Sequence, residues 1–212
     1  MKTGDLIDLL AQDAAPAPAG FAWRRLGAAM LIGGAVALVA VVLWLRCQPL
    51  LAAAAQPWFW MKAVYTALLA TSGALVLRRL ATPGAPLRAA PAWALIVLLA
   101  MAGLGLAQVF TAEPALRLGV WLGQTWKVCS PLILLLSVPI YAALIVALRA
   151  LAPVNLARTG AAAGFTAGAL AATLYGLHCP EQGAAFVVTW YSLGIAAATA
   201  LGALAGRRLL RW

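Results

Sequence analysis

Three cysteines carry the best prospects for chemistry in this sequence: Cys47, Cys129 and Cys179. Cys129 and Cys179 lie 50 residues apart, yet each borders an apolar run at the same predicted depth. Two thiols at one depth can close a disulfide in an oxidising compartment or grip a soft metal ion. Cys129 follows Lys127 and opens a predicted helix, and both features favour the thiolate. Cys179 stands in His178-Cys179-Pro180-Glu181, beside the chain's one histidine. Thiolate, imidazole and carboxylate together make a ligand set suited to zinc or cadmium, with His178 and Glu181 as co-ligands. The competing reading is that a free cysteine is simply a small buried apolar residue. Cys47, with no such neighbours, stays with that reading. No Cys-x-x-Cys pair is present, which counts against a membrane thiol oxidase. One histidine cannot supply the paired axial ligands haem usually needs.

These residues must be positioned by membrane helices. Of 212 residues, 65% are hydrophobic and 9% charged, whereas a soluble domain carries roughly 25% charged residues. Six continuous apolar runs cover about 26–45, 58–77, 92–110, 128–148, 159–177 and 184–205. Each is long enough to span a bilayer as a helix, and their continuity excludes strands, which would alternate. The expected fold is all-α: a polytopic membrane helix bundle of six transmembrane helices. Counting Lys and Arg with the N-terminus inside puts 11 on the inner segments (Lys2, Arg24, Arg25, Arg78, Arg79, Arg88, Arg149, Arg158, Arg207, Arg208, Arg211) and 3 outside (Arg46, Arg117, Lys127). Both termini are therefore expected in the cytoplasm, and the three cysteines at the outer face. The formal charge of +10 comes from these helix-end residues, so direct nucleic-acid binding is not expected. Eight of nine tryptophans fall near predicted boundaries; Trp190 is the exception.

The spans carry two further patterns. Gly160, Gly164, Gly168, Ala172 and Gly176 repeat at intervals of four, as do Gly194, Ala198, Gly202 and Gly206. Such stripes let helix backbones approach closely, and predict a tight hairpin of the last two spans with Cys179 near its tip. Pro139 interrupts the fourth span, where the missing N–H kinks the helix and offers a hinge. Before the first span lies a polar segment, residues 1–22, in which Thr3 can cap a short helix. Leu6, Leu9 and Leu10 form its apolar stripe, with Asp5 and Asp8 beside it and Ile7 between. A helix this short needs a partner's groove to order it; otherwise it is a tail.

The chain resembles the NrsF-like family of bacterial inner-membrane anti-sigma factors, negative regulators of extracytoplasmic-function (ECF) sigma factors. The resemblance rests on Thr3-Gly4-Asp5-Leu6-Ile7-Asp8-Leu9-Leu10, on Cys129 with Leu136-Ser137-Val138-Pro139, and on Ala152-Pro153. It rests also on Tyr175-Gly176-Leu177-His178-Cys179-Pro180-Glu181, Trp190-Tyr191 and Leu210-Arg211-Trp212. It implies a cytoplasmic segment that holds the sigma factor, Asp5 to Leu10 making the contact, and a six-span sensor domain over 23–212. It implies that Cys129 and Cys179 respond to metal or oxidative stress. Cys47 matches no family cysteine. No resident cofactor is required; a heavy-metal ion would be a transient ligand. Self-association as a homo-oligomer stays open. Two other classes compete. A small transporter needs polar groups at mid-membrane, and the spans offer only Lys62, Gln108 and scattered Ser and Thr. A thiol-redox enzyme needs an exchanging pair and an electron acceptor.

Overall fold

The computed structural model describes Gly4 and residues 20–82 and 90–211. Apolar runs become helices because only an intra-segment hydrogen-bond ladder satisfies the backbone away from water. Helix α1 spans Phe21–Ala40 and continues as a π turn, Val41–Leu45. A short α2, Leu50–Ala54, leads into α3, Pro57–Leu80, whose first residue is a proline pre-set for a helix start. Next come α4, Ala90–Thr111, and the short α5, Arg117–Leu122. Gly123, at φ 62°, ends α5 in a conformation glycine adopts without strain. Helix α6 runs over Trp126–Arg149 and α7 over Leu156–Tyr175, the latter capped by the Asn155 side chain on the Arg158 N–H at 3.0 Å. The last rod is α8, Ala184–Phe186, a π turn Val187–Tyr191, and α9, Ser192–Leu209.

Five segments are long and apolar enough to cross a membrane: Phe21–Leu45, Pro57–Leu80, Pro91–Thr111, Arg117–Arg149 and Ala184–Leu209. The sixth expected span is the helix α7, and it is the exception. It is built largely from Gly, Ala and Thr, and twelve of its residues are buried. Helices α3, α6 and α9 pack around it. A helix clothed by protein needs small residues for close packing more than it needs an oily surface. Helix α4 is the opposite case: only 11% of its apolar window is buried, so most of its surface faces outward.

The α7–α9 hairpin is as tight as the glycine stripes predict. A Cβ on Gly202 would lie 2.5 Å from the Gly160 carbonyl oxygen, and one on Gly206 2.7 Å from Gly160 Cα. Cβ atoms on Gly160 and Gly164 would strike the carbonyl oxygens of Gly202 and Ala198. Gly168 meets Ala198 and Ile195 on the same face. Gly194 differs: it packs on Ile133 and Ser130 of α6, because the preceding π turn rotates the helix face by one residue. Pro139 lies within a continuous α6, and Gly33 of α1 lets that helix sit against its backbone, with a Cβ placed 2.9 Å from Pro139 O. Tyr141 ties α6 to α9 by donating to Gly202 O at 2.8 Å.

Candidate functional site

The chain's buried thiols meet at the end of the bundle where α7 gives way to the turn before α8. Cys129 sits in the first turn of α6 and Cys179 in that turn, and both are fully buried free thiols. The Cys129 thiol donates a hydrogen bond to the Cys179 sulfur. Cys47 is a free, half-buried thiol packed on the core, and its neighbours Arg46 and Gln48 both bond the turn that carries Cys179.

The turn that carries Cys179 is fastened from three sides. Glu181 accepts through Oε1 from the backbone N–H groups of Gln124 at 2.7 Å and Thr125 at 3.0 Å, and from the Thr125 hydroxyl at 3.2 Å. A carboxylate on these free donors at the start of α6 also complements the helix dipole. Lys62 of α3, 4% exposed, donates to the carbonyls of Cys179 at 2.5 Å and Glu181 at 3.2 Å. Gln48, in the loop after the first π turn, donates through Nε2 to Gly176 O at 3.2 Å and through its backbone N–H to Leu177 O at 3.1 Å.

Two tyrosines wall the pair. Tyr175, at the end of α7, stands beside both cysteines, and its ring lies 5.8 Å from that of Tyr191. Tyr191 Oη is buried with no partner at hydrogen-bond distance, yet stands near enough to support charge on the Cys179 sulfur. The Cys179 thiol is pulled down to about 6. The Cys129 hydrogen bond is the main cause; burial opposes it, and Tyr191, the Glu181 N–H and the Lys62 charge assist. Cys179 is thus the more acidic thiol of the pair, the one that more readily takes the thiolate form that attacks oxidants and binds metals.

The structure brings together Cys129 and Cys179, and sends their predicted co-ligands elsewhere. The Glu181 carboxylate is occupied by the α6 N-terminus. His178 shares a hydrogen bond of 2.8 Å with the Arg46 carbonyl, and so braces a non-glycine residue at φ 65°. Among the described residues no three or more His, Cys, Asp or Glu side chains are grouped to hold a metal ion. The donor set is therefore two sulfurs, short of a four-ligand structural zinc site. Asp5, Leu6, Ile7, Asp8, Leu9 and Leu10 lie outside the described residues. Trp190 joins the same end of the bundle, its ring 5.4 Å from Trp126 and 6.2 Å from Trp121. Its carbonyl, in the π turn, accepts from Ser130 at 2.7 Å.

Thr125 was not singled out, Tyr175 and Tyr191 entered only within the stretches that carry the resemblance, and Lys62 only as a polar group within a span. Lys62 alone leaves a signal in the sequence: a charge inside an apolar run.

The model of the family described as NrsF, negative regulator of sigma F, matches residues 10–212. The chain is 43% identical over 220 residues to the anti-sigma-F factor NrsF of Caulobacter vibrioides (strain NA1000 / CB15N), covering 100% of both chains. It is 40% identical over 214 residues to the probable anti-sigma-F factor NrsF of Azospira oryzae (strain ATCC BAA-33 / DSM 13638 / PS), again covering 100% of both. No solved structure matches it.

Proposed function

The chain belongs to the family of negative regulators of sigma F, and on that premise we propose that it holds an ECF sigma factor at the bacterial inner membrane and frees it when its thiols react. It is an anti-sigma factor and not an enzyme. In this reading all six long helices cross the membrane, α7 in the interior, with both termini in the cytoplasm. The Lys and Arg distribution supports that orientation. The contact with the sigma factor is Asp5 to Leu10, whose leucine stripe suits a groove on a soluble partner.

One observation carries the sensing half. Two thiols 50 residues apart are buried against each other, with the acidity of Cys179 raised, at the end of the bundle assigned to the outside. The stimulus is then one that two thiols can answer without help. A thiophilic cation such as cadmium can bridge both sulfurs. An oxidant can draw two electrons from the pair as the S–S bond forms, the thiol proton passing to solvent. Disulfide closure draws the turn toward α6, and a bridging cation resets the spacing of the two sulfurs. The stimulus shifts the protein only by favouring one conformation over the other, and a swing from 1:99 to 99:1 needs about 5.5 kcal/mol of preference.

The test is a sigma-dependent reporter in cells carrying Cys129→Ser or Cys179→Ser. Each substitution is expected to abolish induction by cadmium chloride or diamide. Induction retained in both single variants refutes the sensing role and leaves the family assignment untouched.

A further inference from the structure

We infer that Lys62 is the positioning residue that transmits the state of the thiol pair: its ammonium, carried on α3, grips the backbone of the turn around Cys179 and ties that turn to the far end of α3. The inference rests on the thiol reading above and adds the route by which the reaction is felt.

A buried ammonium must find acceptors, because an unpaired charge there is strongly unfavourable. Lys62 finds both of its hydrogen-bond acceptors in one turn, at the carbonyls of Cys179 and Glu181. Through it α3 grips the residue that reacts. The hold is on the backbone, so it follows movement of the turn whatever the chemistry at sulfur. Converting a hydrogen-bonded thiol pair to a disulfide brings the sulfurs to about 2.05 Å, and a bridging ion also resets their spacing. The two carbonyls then shift relative to α3, and the ammonium must follow or lose them.

Helix α3 is built to carry such a shift. Just inward of Lys62, Tyr65 Oη and Ser192 Oγ of α9 lie 2.6 Å apart. Thr173 of α7 donates to Thr66 Oγ1 at 3.0 Å. Gly73 lets α3 close on α7, where a Cβ would lie 2.7 Å from both Phe165 and Thr166. At the other end the Arg78 guanidinium sits 5.7 Å from the ring centre of Trp23, in the first turn of α1. Lys62 and Arg78 are about 24 Å apart along the helix axis at 1.5 Å per residue. Trp23 lies 13 residues past Leu10, the last residue of the partner contact in the proposed function. A rigid rod with contacts at both ends couples two sites when its packing has two arrangements.

The experiment uses the full-length protein in cells, with cadmium chloride as probe and two readouts. One is protection of Cys129 and Cys179 from a maleimide; the other is the sigma-dependent reporter. Wild type is compared with Lys62→Met, which keeps the bulk and loses donors and charge, and with Lys62→Arg, which keeps both. Membrane abundance is checked by immunoblot, and Lys62→Gln replaces the Met variant if that does not accumulate. The expected result is that cadmium still protects both thiols of Lys62→Met, at a higher concentration because the Lys62 charge beside Cys179 is gone, while at saturating cadmium reporter induction falls about fivefold or more, the lower range of allosteric couplings. Lys62→Arg should restore induction. Wild-type induction in Lys62→Met overturns the inference. So does loss of thiol protection in that variant, which would make Lys62 part of the thiol site and not a link from it. A wild type whose thiols ignore cadmium fails the underlying thiol reading, an outcome distinct from both.

Discussion

The carboxylate of Glu181 accepts from the backbone N–H of Thr125 at 3.0 Å, and this contact joins the two halves of the thiol site. Thr125 immediately precedes α6, which carries Cys129 in its first turn, and Glu181 lies two residues past Cys179. Glu181 thus caps the helix that begins beside the pair, and is one of three fastenings of the turn that carries Cys179.

Glu181→Ala should therefore loosen the pair without abolishing the fold. Loss of a capping interaction costs about 1 kcal/mol. The expected outcome is faster maleimide labelling of Cys129 in membranes, together with a small fall in thermal stability in detergent. Glu181→Gln, which keeps an acceptor oxygen and loses the charge, should lie between Ala and wild type. Unchanged Cys129 labelling in Glu181→Ala would show that the turn is held without it.

Alkylation of Cys179 should follow an unusual pH profile. Its thiol is held down to about 6 from an ordinary 9.0, chiefly by the hydrogen bond from Cys129. In a Cys47→Ser background the Cys179 labelling rate should rise through about pH 6 and level off by neutral pH. Cys129→Ser, whose hydroxyl replaces the thiol donor, tests whether that bond sets the profile. The sign for stability follows: a depressed folded value favours the folded protein fully above pH 9.0, and the benefit fades as pH falls to about 6.

Close packing in the α7–α9 hairpin should be intolerant of added carbon. Gly164→Ala pushes a methyl into the Ala198 carbonyl, a backbone atom that cannot swing aside. Overpacking of this kind costs about 1–3 kcal/mol. Gly27→Ala and Gly34→Ala, where a Cβ meets nothing within 4 Å, should be neutral or slightly stabilising. Thermal unfolding of the four proteins in one detergent separates the cases.

The N-terminal contact is open to a binding test. Leu6→Ala with Leu9→Ala should reduce co-purification of the sigma factor from detergent-solubilised membranes while leaving thiol labelling unchanged. Equal recovery of the partner would remove Asp5 to Leu10 from the interface.

The helices, the hairpin and the pairing of Cys129 with Cys179 were legible because each rests on a periodic or depth signal. Apolar length sets a span, small residues every four positions set a close crossing, and helix ends set depth. The surroundings of the pair were not legible. Sequence neighbours on a turn point in different directions, so His178 reaches Arg46 and Glu181 reaches α6, while Cys179 faces inward. Lys62 was visible as a charge in an apolar run, but its acceptors are backbone carbonyls 117 and 119 residues away, which no residue type announces. Helix α7 reads as a span in line with the others because a sequence does not show which helix the rest will surround. Its weaker apolarity is the trace of that interior place.

In the proposed sensing role Cys129 and Cys179 act as one buried unit at the outer end of the bundle. The most direct test is labelling of intact cells with a membrane-impermeant maleimide, before and after cadmium chloride or diamide, in wild type, Cys129→Ser and Cys179→Ser. The expected result is that both thiols label slowly from outside, as the buried pair opens, that the stimulus protects both together, and that each substitution removes protection of the remaining partner. Protection of one thiol that persists when the other is replaced would contradict it.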